Sequence, residues 1–159
     1  MLTFLNSEPG KQGEAARGAQ VFTQAQCASC HRVGTSGETM GPDLTAVARR
    51  FQRKEILQSI VYPSHVISDQ YAARVVTAGG KSYAGLVSQQ GNGDVTVLQT
   101  NGQKVELSQS EIDDIQPSDV SAMPTGLLNP LTLEQVADLF AYLGAQGGND
   151  IASRGLAPK

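Results

Sequence analysis

Residues 26–34 read QCASCHRVG, and they hold both cysteines of this 159-residue chain and one of its two histidines. Two thiols spaced C-x-x-C cannot make a long structural crosslink, so they are read as chemistry. Three chemistries compete: anchorage of a cofactor, a metal site and a redox dithiol. Each needs different partners elsewhere in the chain, so the surrounding sequence decides.

Composition narrows the field. The chain is 40% hydrophobic and 17% charged, which suits a folded domain, and its length suits a single domain over 1–159. Trp is absent, and Phe and Tyr number four each, so a large flat cofactor could supply apolar bulk that the side chains lack. A net charge of −3 lacks the basic footprint of a general nucleic-acid binder. No apolar run approaches the ~20 residues of a membrane span. The opening MLTFLNSEPGK is too short and too polar for a secretory leader. A protein working outside the cytoplasm would therefore be represented here by a trimmed or partial chain.

Apolar periodicity predicts a helix over roughly 13–24, with Ala15, Ala19 and Phe22 on one stripe and Ala16 and Val21 beside it. Gly18 costs this helix ~1 kcal/mol relative to Ala, which points to another backbone crossing closely there. GTSGETMGPD reads as loop. A second helical region follows in two pieces, 44–50 and 54–61, the latter with Ile56, Leu57, Ile60 and Val61 on one face, and it stops at Pro63. The period then changes to that of strands: YAARVVTA, SYAGLVSQ, DVTVLQT and QKVELS, with a possible fifth at DDIQP. Asn101-Gly102 reads as a hairpin turn with both positions at positive φ. A small antiparallel sheet or barrel is expected over 66–119. The last helix is expected over 132–143, opened by a Thr132/Gln135 capping box and stopped at Gly144. The tail 146–159 reads as loosely ordered. The fold class is α+β.

The zinc reading needs four ligands in a closed site. Cys27, Cys30 and His31 give three, but adjacent Cys30 and His31 fit one tetrahedron badly, and His65 would have to be the fourth. The dithiol reading wants C-x-x-C after a strand and at a helix N-terminus, whereas here it follows a helix and enters a Gly-rich loop. C-x-x-C-H is the attachment pattern of a c-type haem, with the thiols bonded to the haem vinyl groups and the following His on iron. A low-spin iron then needs a second axial ligand, often a Met. Met1 is terminal, and Met40 is too near His31 to reach the opposite face. Met123, in SDVSAMPTGLLNP, is the expected distal ligand; His65 and an open iron remain alternatives. A proximal His usually donates its second ring N–H to a carbonyl, and Pro42 in the GPDL loop offers one.

These residues together resemble class I cytochrome c: Gly18 and Phe22, then Cys27, Cys30 and His31, then Gly41, Pro42 and Leu44, and late in the chain Met123 and Pro124 before a final helix. The resemblance implies thioethers at Cys27 and Cys30, proximal His31, distal Met123, the Pro42 carbonyl on His31, and terminal helices crossing at Gly18. It covers 10–65 and 120–145, a helical core interrupted by the sheet. A closer likeness is to the haem-binding domain family typical of planctomycete and verrucomicrobial proteins, through GPDLTAVARRF, ILQSIVYPS, YAARVVTAGGKSYAGLV and SAMPTGLL. Such domains often end larger extracytoplasmic dehydrogenase-like proteins.

The expected function is therefore single-electron transfer by one covalently bound haem c, in a periplasmic or otherwise extracytoplasmic domain that is not itself an enzyme. Its partner would be a redox protein or a fused dehydrogenase domain, and the isolated domain is expected to be a monomer. Phe22, Val33, Leu44, Phe51, Ile56, Ile60, Leu127 and Leu128 are candidates for the pocket wall. In the one basic cluster, Arg49, Arg50 or Arg53 could pair a haem propionate. The competing function is an open or labile distal site for gas sensing or peroxide chemistry, although the Met123 loop shows no distal His or Arg.

Overall fold

In the computed structural model of this protein the described residues are 1–152, with side chains described through 145. Two compact units divide the chain: Met1–Val61 with the segment from Leu127 onward, and Tyr62–Gly126.

The first unit is helical. Its elements are α1 (Leu2–Leu5), α2 (Glu8–Lys11), α3 (Ala15–Gln24), a two-stranded hairpin of β1 (Arg32–Val33) and β2 (Ser36–Gly37), α4 (Val47–Arg50) and α5 (Arg53–Val61). The last helix of the chain, spanning Leu133–Ala152, completes it. Val21 and Phe22 from α3, Val33 from β1, and Ile56 and Leu57 from α5 share one core with Val136, Leu139, Phe140 and Leu143 of the last helix. Leu5 of α1 is fully buried in the same core.

The crossing of α3 with the last helix fixes this unit. A Cβ on Gly18 would lie 2.0 Å from the Asp138 carbonyl oxygen, and one on Gly13 would lie 2.2 Å from that of Ala137. Only glycine permits this approach. Asp138 is 4% exposed, yet its carboxylate is fully partnered. It accepts the Glu14 backbone N–H at 2.6 Å and is forked by Arg17, with Nε to Oδ2 at 2.7 Å and Nη2 to Oδ1 at 2.9 Å. The Arg17 hydrogen bonds hold the carboxyl below its ordinary pKa, against the opposing effect of burial.

Tyr62–Gly126 carries a five-stranded antiparallel sheet of β3 (Arg74–Ala78), β4 (Lys81–Gln89), β5 (Val95–Gln99), β6 (Lys104–Leu107) and β7 (Ile112–Pro117). The order is β6-β5-β4-β3-β7, so the sheet is open, with β6 and β7 as edges, and does not close into a barrel. Val76, Ala78, Val95, Val97 and Leu107 form its core, following the alternation read in the strands.

The turns differ from expectation. The two-residue turn with both φ positive is Gly79-Gly80, at 54° and 75°. At Asn101-Gly102 only Gly102 is left-handed, with φ 79°. There Gly102 N donates to Gln99 O and Gln99 N to Gln103 O, both at 2.9 Å. This is a three-residue hairpin loop, whose geometry places a glycine last.

Two other expectations are corrected. GTSGETMGPD is not wholly loop, because β2 lies in it, paired as Arg32↔Gly37 and Val33↔Ser36. Gly144 does not stop the last helix, which runs on to Ala152; the tail expected over 146–159 thus begins in helix, and from 153 on it lies outside the described residues. Phe51, a candidate for the pocket wall, is 44% exposed, and the Arg50 guanidinium sits 5.4 Å from its ring centroid.

The Thr132/Gln135 capping box is present. Thr132 N donates to Gln135 Oε1 at 2.8 Å, and Gln135 N to Thr132 Oγ1 at 3.2 Å.

Candidate functional site

The last helix continues past the crossing as α6, and α3 packed against it leads straight into the motif. α3 ends at Gln24, and Gln26 turns left-handed at φ 61°, the one non-glycine residue with positive φ among the described residues. That reversal starts a single 3-10 turn, Cys27–Ser29. The Cys27 carbonyl accepts N–H groups from both Cys30 (3.2 Å) and His31 (2.9 Å), so both thiols and the imidazole spring from one tight turn.

The GPDL loop closes over this turn. Gly41 N donates to Cys30 O at 2.7 Å, and His31 Nδ1 lies 2.8 Å from the Pro42 carbonyl oxygen. A carbonyl can only accept, so Nδ1 carries the proton and Nε2 is left with a free lone pair in the neutral ring. Burial lowers the His31 pKa and so favours that neutral, ligating form, against the opposing effect of the Pro42 hydrogen bond. A Cβ on Gly41 would stand 3.0 Å from Cys30 O and 3.1 Å from His31 Nδ1, so the cradle under the ring admits little more than hydrogen.

Cys27 and Cys30 are both free thiols. Burial pushes Cys27 up to about 11, and burial together with the Glu38 charge pushes Cys30 up. A dithiol poised for exchange needs the opposite shift. Among the described residues no three His, Cys, Asp or Glu side chains converge to hold a metal ion. The donor set is therefore two uncrosslinked thiols and one oriented neutral imidazole. That set fits a covalently anchored haem, with Cys27 and Cys30 as attachment points and His31 Nε2 toward iron.

Of the other anticipated residues, Phe22 is 2% exposed in the helical core, and Leu44 and Ile60 pack partly buried against it. Arg49 is exposed. Arg53 Nη1 donates to Leu5 O at 2.7 Å and Gly10 O at 3.3 Å, tying down α1 and α2. Met123 belongs to the sheet unit, where its N–H donates to Ser121 Oγ at 3.1 Å and Ser121 N–H donates to Ser64 Oγ at 3.1 Å. His65 is exposed, in a turn closed by its N–H to Tyr62 O at 3.0 Å.

Sequence reasoning passed over the tie between the two halves of the proximal loop. Asp43 accepts from Arg32 Nε at 3.1 Å and from Arg32 Nη2, and on its other oxygen from Thr45 N (2.8 Å) and Thr45 Oγ1. The Thr45 and Arg32 hydrogen bonds together hold Asp43 down at about 2. The signal was available, since Asp-x-Thr is a side-chain-to-backbone turn pattern.

Compared with known families, the chain matches the family model for cytochrome c over residues 15–146. No curated protein matches it. The match runs across both units, and the chain belongs to the cytochrome c family. It is accordingly a haem-binding, electron-transfer type of domain, and the family implies covalently bound haem c.

Proposed function

We propose that this member of the cytochrome c family is a monohaem domain that passes single electrons as the accepting module of a larger extracytoplasmic oxidoreductase. Cys27 and Cys30 supply the thioether sulfurs, His31 the proximal ligand and Met123 the distal one. The observation that carries the reading is the His31 Nδ1–Pro42 contact at 2.8 Å beside two free thiols. It leaves Nε2 as the one ligating nitrogen of a ring whose orientation is fixed from behind.

When bound, the haem iron supplies the one-electron step. The chain's own residues orient and shield. Pro42 holds the ring plane and Gly41 lets the loop close on it, while Val33 lies in the helical core and Leu44 packs against that core. Met123 is assigned from its place in SAMPTGLL ahead of the last helix, and Ser121 steadies its backbone. The likeness to planctomycete and verrucomicrobial haem-binding domains suggests the fused or docked dehydrogenase partner. The periplasmic setting follows from the typical location of cytochrome c domains. No described helix is long and apolar enough to cross a membrane.

The test is expression alongside haem maturation machinery. One covalent haem per chain by intact mass is expected, with sharp low-spin bands in the reduced spectrum that carbon monoxide does not shift. Loss of covalent haem in Cys27→Ser/Cys30→Ser should follow. Ready gas binding by the wild type would replace the electron-carrier reading with that of an open-site haem protein. Absence of covalent haem would end both.

A further inference from the structure

We propose that Arg32, Asp43 and Thr45 form a brace that sets how firmly the Pro42 carbonyl holds His31, and thereby tunes the iron from outside its ligand shell. The proposal rests on the reading of His31 as proximal ligand and goes beyond it to three residues whose side-chain hydrogen bonds go to other partners than His31.

Pro42 has no N–H, so its backbone can accept from the facing segment but cannot donate to it. Its one link to His31 is the carbonyl that receives Nδ1–H. The neighbours must therefore hold it in place. Gly41 N binds Cys30 O at 2.7 Å on one side, and Leu44 N binds Arg32 O at 2.8 Å on the other. Beyond these, Gly34 N donates to Thr45 Oγ1 at 2.8 Å. Arg32 immediately follows His31, and Asp43 immediately follows Pro42. The Arg32–Asp43 pair thus crosses between the two segments one residue beyond the ring contact on each.

Both carboxylate oxygens are used for different ends. Oδ2 takes the Arg32 guanidinium, and Oδ1 takes Thr45 N–H and Oγ1–H. Thr45 Oγ1 donates to Asp43 while accepting from Gly34, so the chain of contacts closes on itself. The Arg32 and Asp43 side chains are 45% and 43% exposed. An exposed ion pair adds little global stability. Its placement explains it better: it fixes the distance between the His31 and Pro42 segments. A carbonyl held firmly on Nδ1–H makes the imidazole more electron-rich. That favours the ferric state and lowers the reduction potential. Loosening the brace should raise it.

The experiment compares haem-loaded wild type with Asp43→Ala, Arg32→Gln, Thr45→Val and Thr45→Ser. Three readings are taken from each: melting temperature, amide hydrogen exchange at Gly34 and Leu44, and reduction potential. Asp43→Ala is expected to speed exchange at these amides up to roughly tenfold, the worth of one net hydrogen bond, and to raise the potential with little change in melting. Arg32→Gln and Thr45→Val should shift both in the same direction, and Thr45→Ser should restore wild-type values. Lys11→Gln, which cuts the Lys11–Glu8 surface pair, should move neither. Faster exchange with an unchanged potential would reduce the brace to ordinary loop stability and overturn the proposal. So would an unchanged Asp43→Ala in both. If His31→Ala keeps the wild-type spectrum, the reading of the ligand has failed instead and the tuning claim falls with it, while the exchange data still report the brace.

Discussion

Gly18→Ala adds one carbon where α3 meets α6. The new Cβ would lie 2.0 Å from the Asp138 carbonyl oxygen, 2.6 Å from its carbon and 2.7 Å from Tyr142 Cβ. Two of these three atoms are backbone, so no side chain can swing aside. Non-bonded carbons rest at ~3.5–4.0 Å, so the helices must part by more than ~1 Å. Overpacking of this kind costs ~1–3 kcal/mol. Parting also strains the bonds from Glu14 N–H and Arg17 to Asp138, each worth ~1 kcal/mol net. Alanine's better helix propensity returns ~1 kcal/mol. The net loss is about 2 kcal/mol or more, hence a fall of at least ~4–8 °C in melting temperature at ~2–4 °C per kcal/mol for a chain of this size. Gly144→Ala is the matched control on the same helix, because its Cβ would meet nothing within 4 Å. It should gain up to ~1 kcal/mol and melt ~2–4 °C higher. Thermal melts by circular dichroism on both variants decide the matter. If Gly18→Ala melts at or above wild type, the close crossing is not what makes that glycine necessary.

Three further outcomes are expected. Asp138→Asn should cost about 1–2 kcal/mol at neutral pH through its weakened bonds to Arg17 and Glu14 N–H. Because the folded-state pKa of Asp138 is lowered, that stability is fully present above the ordinary carboxylate pKa and is lost as pH falls through the lowered value; denaturant midpoints of variant and wild type should converge in acid. Gln26→Gly should stabilise the fold by up to ~1 kcal/mol and raise the denaturant midpoint accordingly, since a left-handed residue closing a helix is best a glycine, and an unchanged midpoint would argue against strain at φ 61°. Met123→Ala should lower the reduction potential and let carbon monoxide bind; an unaltered spectrum would return the distal position to His65 or to solvent.

The parts of the fold that can be read in the sequence are those whose physics is periodic. α3, α6 and the strands announce themselves because one face must be apolar and the next residue's burial follows from geometry. Gly18 is legible for the same reason, since a glycine inside a helix is a cost that only a close neighbour offsets. The failures share a different cause. α1 and α2 are four residues each, too short for a period, and they are held by Arg53 reaching back to Leu5 O and Gly10 O. No local pattern encodes such a contact, so the tie from Arg53 to α1 and α2 is not legible in the sequence. The Arg50 guanidinium over the Phe51 ring is a contact between chain neighbours that no apolar period encodes either. Gly144 looked like a stop, but a helix can carry an unpacked glycine at ~1 kcal/mol.

The site itself is more legible than its supports, and the reason bears on how it works. C-x-x-C-H and GPDL state the donor atoms, because ligand chemistry tolerates few substitutes. What aims those donors is spread over residues with no fixed identity: a left-handed Gln26, an arginine-aspartate-threonine web, and a helix crossing. Cys27 stands three residues beyond the end of α3, whose other end is pinned through Gly13, Glu14 and Arg17 to α6. The thiols are thus placed by the crossing, and the imidazole by the brace on Pro42. Loosening the crossing should disturb attachment of haem before it disturbs the iron, and loosening the brace should do the reverse. Gly18→Ala and Asp43→Ala therefore separate two functions that the motif alone presents as one. The first should lower the yield of covalently loaded protein at unchanged potential, and the second should shift the potential at unchanged yield. If both variants moved both quantities together, the turn and the loop would be a single mechanical unit, and the division of labour argued from these contacts would be wrong.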